Sequence, residues 1–309
     1  MKKTALFLAL TVPALAQAET IEIDMPDFYG KLNLSVQNAN EAGNSFSEVK
    51  SNASRLGVKG QGDLNHGLTA IYQAEYEINP DDGDKDGKTM TQRNTYAGLK
   101  GGFGEVIVGV FDTPLKKLQK KVDLFNDLEG DIKNVITKSD NREANSVQYT
   151  SPKFAGLQLK VDQIASEKSD DSRKDGNSTS LTYTRGDYYV GVAYDNKVGK
   201  KLTDKHSALR VVTQVKVAGA QLGALWEELD NDGDNKDGWL VSASYKVAGV
   251  KLKAQYGQSD IKEEGANTTS VGADYKLGKG AKTYVYYTAN NYKTAVNTEY
   301  AGVGIEYKF

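Results

Sequence analysis

The sequence predicts an all-β chain, an antiparallel up-and-down barrel that crosses a membrane with about sixteen strands. Three observations carry this. The chain falls into segments of about ten residues in which apolar and polar side chains alternate, the period of a strand with one face in each environment. Short Gly- or Asp-bearing turns alternate with long polar connections, the pattern of a meander with tight turns at one rim and loops at the other. The chain also opens like an exported protein, yet its mean hydropathy is −0.56, so no later segment can cross as a helix. A spanning barrel needs only every second residue apolar and therefore looks polar on average.

Residues 1–18 read as a secretory signal peptide. Lys2 and Lys3 form its charged start, Ala5 to Leu15 is a short apolar run, and Ala16-Gln17-Ala18 is a small-x-small cleavage site. Residues 19–309 then form one barrel domain, opened by a short lead-in at 19–27. The chain has no cysteine, so an exported fold must rest on backbone pairing and buried area. Lys+Arg number 39 and Asp+Glu 41. That balance offers no basic face for nucleic acid.

From Phe28 onward the strands can be read in order. Leu32, Leu34 and Val36 share one face, against Lys31, Asn33 and Ser35. Leu209, Val211, Val215 and Val217 oppose Arg210, Gln214 and Lys216. Val250, Leu252, Ala254 and Tyr256 oppose Lys251, Lys253 and Gln255. Val303, Ile305, Tyr307 and Phe309 share a face of the last segment. Closure requires that strand 298–309 pair with strand 28–37, because an open edge cannot face lipid. Short turns are expected at 63–67, 101–104, 185–187, 217–219, 247–249 and 277–281. Long loops are expected at 38–51, 80–88, 112–141, 166–177, 197–205, 230–238, 261–266 and 291–297. Aromatics recur near strand ends, among them Tyr29, Tyr149, Trp226, Trp239 and Tyr307, as interfacial girdles require. Long strands, their number and these girdles weigh against a soluble sandwich.

The stretch 112–141 stands out. Structureless connections of about thirty residues are uncommon inside a domain unless they are functional. It is expected to fold into the barrel as its long third loop and to narrow the interior. Leu115, Leu118 and Val122 fall at i, i+3 and i+7, so this piece can form about two helical turns. Its other face carries Lys116, Lys117, Lys120 and Lys121.

Several stretches resemble the trimeric general diffusion porins of Gram-negative outer membranes. They are Phe28-Tyr29-Gly30-Lys31, Ser54 to Gly60 (SRLGVKG), Arg93 to Lys100 (RNTYAGLK), Arg142 to Tyr149 followed by Ser151-Pro152, and the terminal Tyr307-Lys308-Phe309. The likeness covers the whole mature chain. It implies a water-filled pore for small hydrophilic solutes and ions in the cell outer membrane, a homotrimer, and contact with lipid and lipopolysaccharide. The lead-in 19–27 and loop 80–88 would contribute to subunit contact. Phe309 resembles the end signal read by the barrel assembly machinery. The family's constriction sets a basic wall against acids on the third loop. By motif the basic wall maps to Lys31, Arg55, Arg93 and Arg142, and strand phase places Lys31, Arg55 and Arg142 opposite their apolar neighbours. A cation facing lipid at mid-depth would cost ~2–4 kcal/mol. The loop acids map more loosely, to Asp127, Glu129 and Asp131, because this chain has Leu128-Glu129-Gly130-Asp131 where the family usually carries a Pro-Glu-Phe-Gly-Gly-like kink. Four cations against two or three acids predict weak anion preference or near neutrality.

Other signals lead nowhere catalytic. Asp82 to Gly87 begins like a calcium loop, but its twelfth position is Arg93 where a Glu ligand is needed. The run from Asp230 to Asp234 fails similarly. His66 and His206 show neither a nucleophile partner nor zinc-ligand spacing. No metal, cofactor or catalytic residue is expected, and the chain is not read as an enzyme. The alternatives are a substrate-selective channel for sugars or phosphate-type anions and, behind it, a barrel enzyme or adhesin.

Overall fold

The computed structural model describes residues 25–84, 87–167, 175–199 and 205–309. The signal-peptide expectation for 1–18 and most of the lead-in lie outside them. The chain starts with β1 (Asp27–Glu41), β2 (Asn44–Ser51), β3 (Arg55–Leu64), β4 (Leu68–Ile78), β5 (Met90–Gly101) and β6 (Gly104–Asp112). After the long connection come β7 (Arg142–Thr150), β8 (Leu157–Ile164), β9 (Gly176–Arg185), β10 (Tyr188–Asn196), β11 (His206–Val217) and β12 (Ala220–Asn231). The wall is completed by β13 (Asp234–Val247), β14 (Val250–Ser259), β15 (Ala266–Lys276), β16 (Ala281–Asn291) and β17 (Thr298–Lys308).

Apart from β2 and β3, each strand pairs antiparallel with its sequence neighbours, and the ring closes where Lys31–Glu41 meets Thr298–Lys308. Closure leaves no open edge toward lipid, as the sequence required. β2 and β3 form one stave of this wall, because both pair with β1, at Leu34–Glu41 and Asp27–Lys31. The described strands thus make a closed sixteen-stranded antiparallel barrel. The break between β2 and β3 falls at Asn52-Ala53-Ser54. There Asn52 and Ser54 are buried and bond across to β1, with Asn33 N–H donating to Ser54 Oγ at 3.0 Å.

Two faces alternate along the strands. Val36, Val108, Val147, Val190, Val241, Val271, Val285 and Val303 stand exposed on the outer one. Asn33, Ser35, Gln37, Ser178, Gln255, Ser270 and Thr288 are buried on the inner one. An apolar exterior over a polar interior is the inverse of a soluble protein, and it suits a wall set in lipid.

Two expected long loops are instead hairpins. β1 and β2 run through 38–51 and turn at Ala42-Gly43, whose φ values are 53° and 80°. β12 and β13 run through 230–238 and turn at Asp232-Gly233, with φ of 63° and 89°. Two successive positive φ values mark the two-residue turn whose twist matches paired strands. Phe46 and Val49 are the large apolar residues in these stretches and fall on opposite faces, so no apolar alternation marks the extensions.

The connection between β6 and β7 is largely buried. α1 (Pro114–Leu118) follows a Thr113 cap whose side chain accepts from the Lys116 N–H, and a 3-10 turn covers Gln119–Lys121. Leu115, Leu118 and Val122 are all buried, as the i, i+3, i+7 spacing predicts. α2 (Ile132–Val135) adds Ile132 and Val135 to the same apolar cluster, which rests on Tyr189, Ala193, Val212, Leu225 and Leu240.

Candidate pore constriction

The connection is bonded to inner-face groups of strands far from it in sequence. Gln255 accepts from the Leu124 N–H at 3.0 Å and donates to Gly130 O at 2.6 Å. Ser259 donates to Ile136 O at 2.7 Å and Lys253 to Leu124 O at 3.1 Å. Arg210 on β11 is wholly buried and reaches both ends of the segment. Its guanidinium donates to Gln119 Oε1 at 3.2 Å on one side, and to Thr137 Oγ1 at 2.9 Å and Asp140 Oδ1 at 3.0 Å on the other. Glu227 on β12 balances it, accepting from Arg210 Nε at 2.6 Å.

Opposite this anchored side, the segment meets the wall of β1 to β7 across charged groups. Lys31 Nζ lies 2.7 Å from Asp127 Oδ2, and Arg55 Nη2 lies 3.6 Å from the same oxygen. Asp127 holds a left-handed φ of 69°, which Asp tolerates better than most residues, and this turns its carboxylate toward the wall. Burial alone would raise the Asp127 pKa. Lys31, then Arg55 and Arg93, outweigh burial and hold it below the usual carboxylate range.

The structure brings Lys31 and Arg55 against Asp127, and Arg93, Arg142, Glu129 and Asp131 line the same cavity with other partners. Glu129 accepts from Gln37 Nε2 at 2.9 Å and pairs with Lys50, a cation not singled out from the sequence. Asp131 turns back on its own segment. It accepts from the N–H groups of Asp127 at 2.9 Å and Lys133 at 3.0 Å and from Asn126 Nδ2 at 3.0 Å. It braces the bend and caps α2 rather than facing the arginines. Asp123 beside it bonds the Phe125 and Ile132 N–H groups. Burial first, and the neighbouring Asp131 second, push the Asp123 pKa well above its ordinary value.

Arg93 is held within the wall, 2.7 Å from Glu75 and 2.7 Å from Glu77. Arg142 is held by Asp112 at 3.0 Å and by Asn94 Oδ1 at 3.0 Å. Glu75, Glu77 and Asp112 were missed, although strand phase puts Glu75 and Glu77 opposite Tyr76 and on the face of the arginines. The groups enclose a cavity of about 490 Å³. Seven cations (Lys50, Arg55, Arg93, Lys116, Lys120, Lys133 and Arg142) and seven acids (Glu75, Glu77, Asp112, Asp127, Glu129, Asp131 and Asp140) line it. Phe309 is remote from all of this. Its backbone exchanges bonds with Gly30 at 2.9 and 3.2 Å, and its ring covers that glycine on the outer face. His206 is buried with Nε2 2.6 Å from Val198 O, and His66 sits in a turn.

The chain's relatives agree with this architecture. The model of the Gram-negative porin family matches residues 4–295. The major outer membrane protein P.IB of Neisseria meningitidis serogroup A is 26% identical, over the full length of both chains. Among solved structures, the anion-selective porin from Comamonas acidovorans superposes with a TM-score of 0.77 at 22% identity, covering 92% of this chain and 99% of that one. The trimer form of OmpT from Vibrio cholerae superposes with a TM-score of 0.69 at 19% identity, covering 92% and 99%. With its closed barrel, apolar exterior and family match along nearly its whole length, the chain belongs to the Gram-negative porin family, the diffusion channels of the outer membrane.

Proposed function

We propose that residues 112–141 lie in the bore at mid-height and set the size and field of a general diffusion pathway. The observation that carries this is the Lys31–Asp127–Arg55 contact. It spans from the wall to a segment whose other side is bonded to β11, β14 and β16. A passage flanked by opposed charges orders water and aligns dipolar solutes, so polar solutes pass and apolar ones are disfavoured. Rings of charged side chains are one way pores select ions.

The wall carboxylates favour the near-neutral side of the expected selectivity. Arg93 and Arg142 are neutralised by Glu75, Glu77 and Asp112 within the wall itself. The transverse field then comes mainly from Lys31, Arg55 and Lys50 against Asp127 and Glu129. Seven cations and seven acids line the cavity and Lys31 adds one more positive charge beside Asp127, so the narrowest part is close to neutral. Screening over ~8 Å at physiological salt confines the effect to these local charges.

Replacing Arg55 and Arg93 together by Ser tests the reading in planar bilayers. The pair of substitutions widens the gap and leaves Glu75 and Glu77 without their guanidinium. Conductance should rise and the reversal potential should move toward cations. Unchanged conductance and selectivity would place the constriction elsewhere.

The assembly is a homotrimer in this reading, with loop 80–88 reaching a neighbouring subunit. A trimer form is known for the OmpT relative. Cross-linking in mild detergent should capture trimers, and capture of monomers alone would refute it. Contact with lipopolysaccharide through the long-loop rim and recognition of Phe309 by the assembly machinery complete the proposed partners.

A further inference from the structure

At the rim carrying the short turns, the inner face changes character. Lys216 on β11, Lys246 on β13 and Lys251 on β14 line a second cavity of about 360 Å³, with Gln221 and Ser244 between them. Strand phase puts all three on the inner face. Lys216 continues the buried series Arg210, Val212, Gln214, Lys246 continues Leu240, Ser242, Ser244, and Lys251 precedes Lys253, Gln255. Gln221 also donates to Lys121 O at 3.1 Å. The cavity therefore abuts the third loop from the short-turn side.

The pairing here is unfavourable as it stands. Lys246 is directly opposite Lys251 across the strands, and Lys276 is directly opposite Lys282; on its other side Lys251 faces Asp274, whose carboxylate is drawn to Lys253 and Lys282 instead. Like charges directly opposite destabilise a sheet. The inner-face carboxylates nearby are already engaged. Asp274 lies 3.0 Å from Lys253 and 3.3 Å from Lys282, and Glu306 lies 3.0 Å from Lys308. Among the described residues, Lys216, Lys246 and Lys251 have no carboxylate within ion-pair distance. This contrasts with the constriction, where every wall arginine has one.

We infer that Lys216, Lys246 and Lys251 form an oxyanion site at the short-turn mouth, suited to a divalent phosphate-type ligand. Ammonium groups on flexible stems act as point charges that converge on such an anion, and each charge-assisted bond relieves the repulsion between them. Gln221 and Ser244 supply neutral donors. Short turns of bacterial barrels face the periplasm, so the ligand is met from that side. The inference rests on the diffusion-channel reading. It moves the origin of any anion preference from the balanced constriction to the mouth.

Planar bilayers test it. Potassium chloride conductance is measured first, and failure to conduct at all would count against the channel reading rather than against this site. Inorganic phosphate is then titrated on each side at constant ionic strength and pH. A Gly278→Cys change in the exposed 277–280 turn lets a charged thiol reagent identify the short-turn side, since the chain has no other cysteine. Phosphate on that side should reduce the chloride current saturably. The half-saturating concentration should rise about tenfold in the Lys246→Gln, Lys251→Gln double variant. Lys293→Gln, in the long-loop rim, should leave it unchanged. Equal effects from both sides, or the same titration in wild type and double variant, would overturn the site. Opening of the double variant in potassium chloride verifies its assembly. Bilayers with and without phosphatidylglycerol separate the two sources of phosphate. A lipid headgroup as occupant makes the wild type less sensitive to added phosphate in the anionic bilayer, and a free ion as occupant leaves the two bilayers alike.

Discussion

Asp127 shows what a single residue contributes. Its carboxylate is the one loop acid placed against both Lys31 and Arg55, and its pKa is held below the ordinary 3.8 because those cations outweigh burial. For a depressed carboxylate, the stabilisation is present above the ordinary value and is lost as pH falls through the folded one. The bridge should therefore survive from neutral pH down to about pH 4 and fail only below it. Asp127→Asn should shift selectivity toward anions, and its difference from wild type should persist in recordings at pH 5. If the two channels converge by pH 5, the carboxylate is not held ionised by the wall. Strand phase and motif made Lys31 and Arg55 legible from sequence, because an inner-face cation in a spanning wall has few other destinations. Asp131 was legible only as an acid. A carboxylate two residues before an N–H in a tight bend can serve the backbone instead of the bore, and which it does depends on a bend that sequence spacing does not define.

At the scale of the element, Arg210 bonds both ends of the third loop. The strand alternation already placed this arginine on the inner face, but nothing in its neighbourhood named its partners. Asp140 and Thr137 lie about seventy residues away in sequence, and Glu227 becomes its partner only through the β11–β12 register, Arg210 opposite Glu227. The apolar half of the anchor was half visible. The helical spacing of Leu115, Leu118 and Val122 predicted a buried stripe, while its counterpart of Tyr189, Ala193, Val212 and Leu240 breaks the polar rule for an inner face and could not be foreseen. Removing one partner of a buried ion pair costs about 3–5 kcal/mol, because the remaining charge is left uncompensated. Arg210→Met strands Glu227 and Asp140 in this way and releases both ends of the loop together. Single-channel records should show frequent brief closures and open-channel noise absent from wild type. Quiet records with wild-type conductance would show that the apolar cluster alone suffices to hold the loop.

The barrel as a whole was the most legible feature, since a closed wall repeats one rule in every strand. Alternation gives the two faces, and lipid outside gives the sign of the alternation. The rule failed at 38–51 and 230–238, where the strands run on but their side chains are mostly polar and do not alternate. Closure itself depends on the last strand finding the first. Phe309 completes that seam. Its N–H and C=O both bond Gly30, and its ring lies 5.8 Å from that of Tyr307. Gly30 leaves room for the ring, since a Cβ there would come within 2.4 Å of it. The seam lies on the outer face, so Phe309 touches nothing that conducts. Deleting Phe309 should lower the amount of assembled protein in the outer membrane while leaving the conductance of each assembled channel unchanged. Gly30→Ala keeps the terminal residue but displaces its ring. It should lower the heat resistance of the folded barrel, with the same unchanged conductance. A deletion variant that assembles at wild-type levels would remove Phe309 from both assembly and closure. A deletion that changes the current through single channels would mean that the seam and the bore are mechanically coupled.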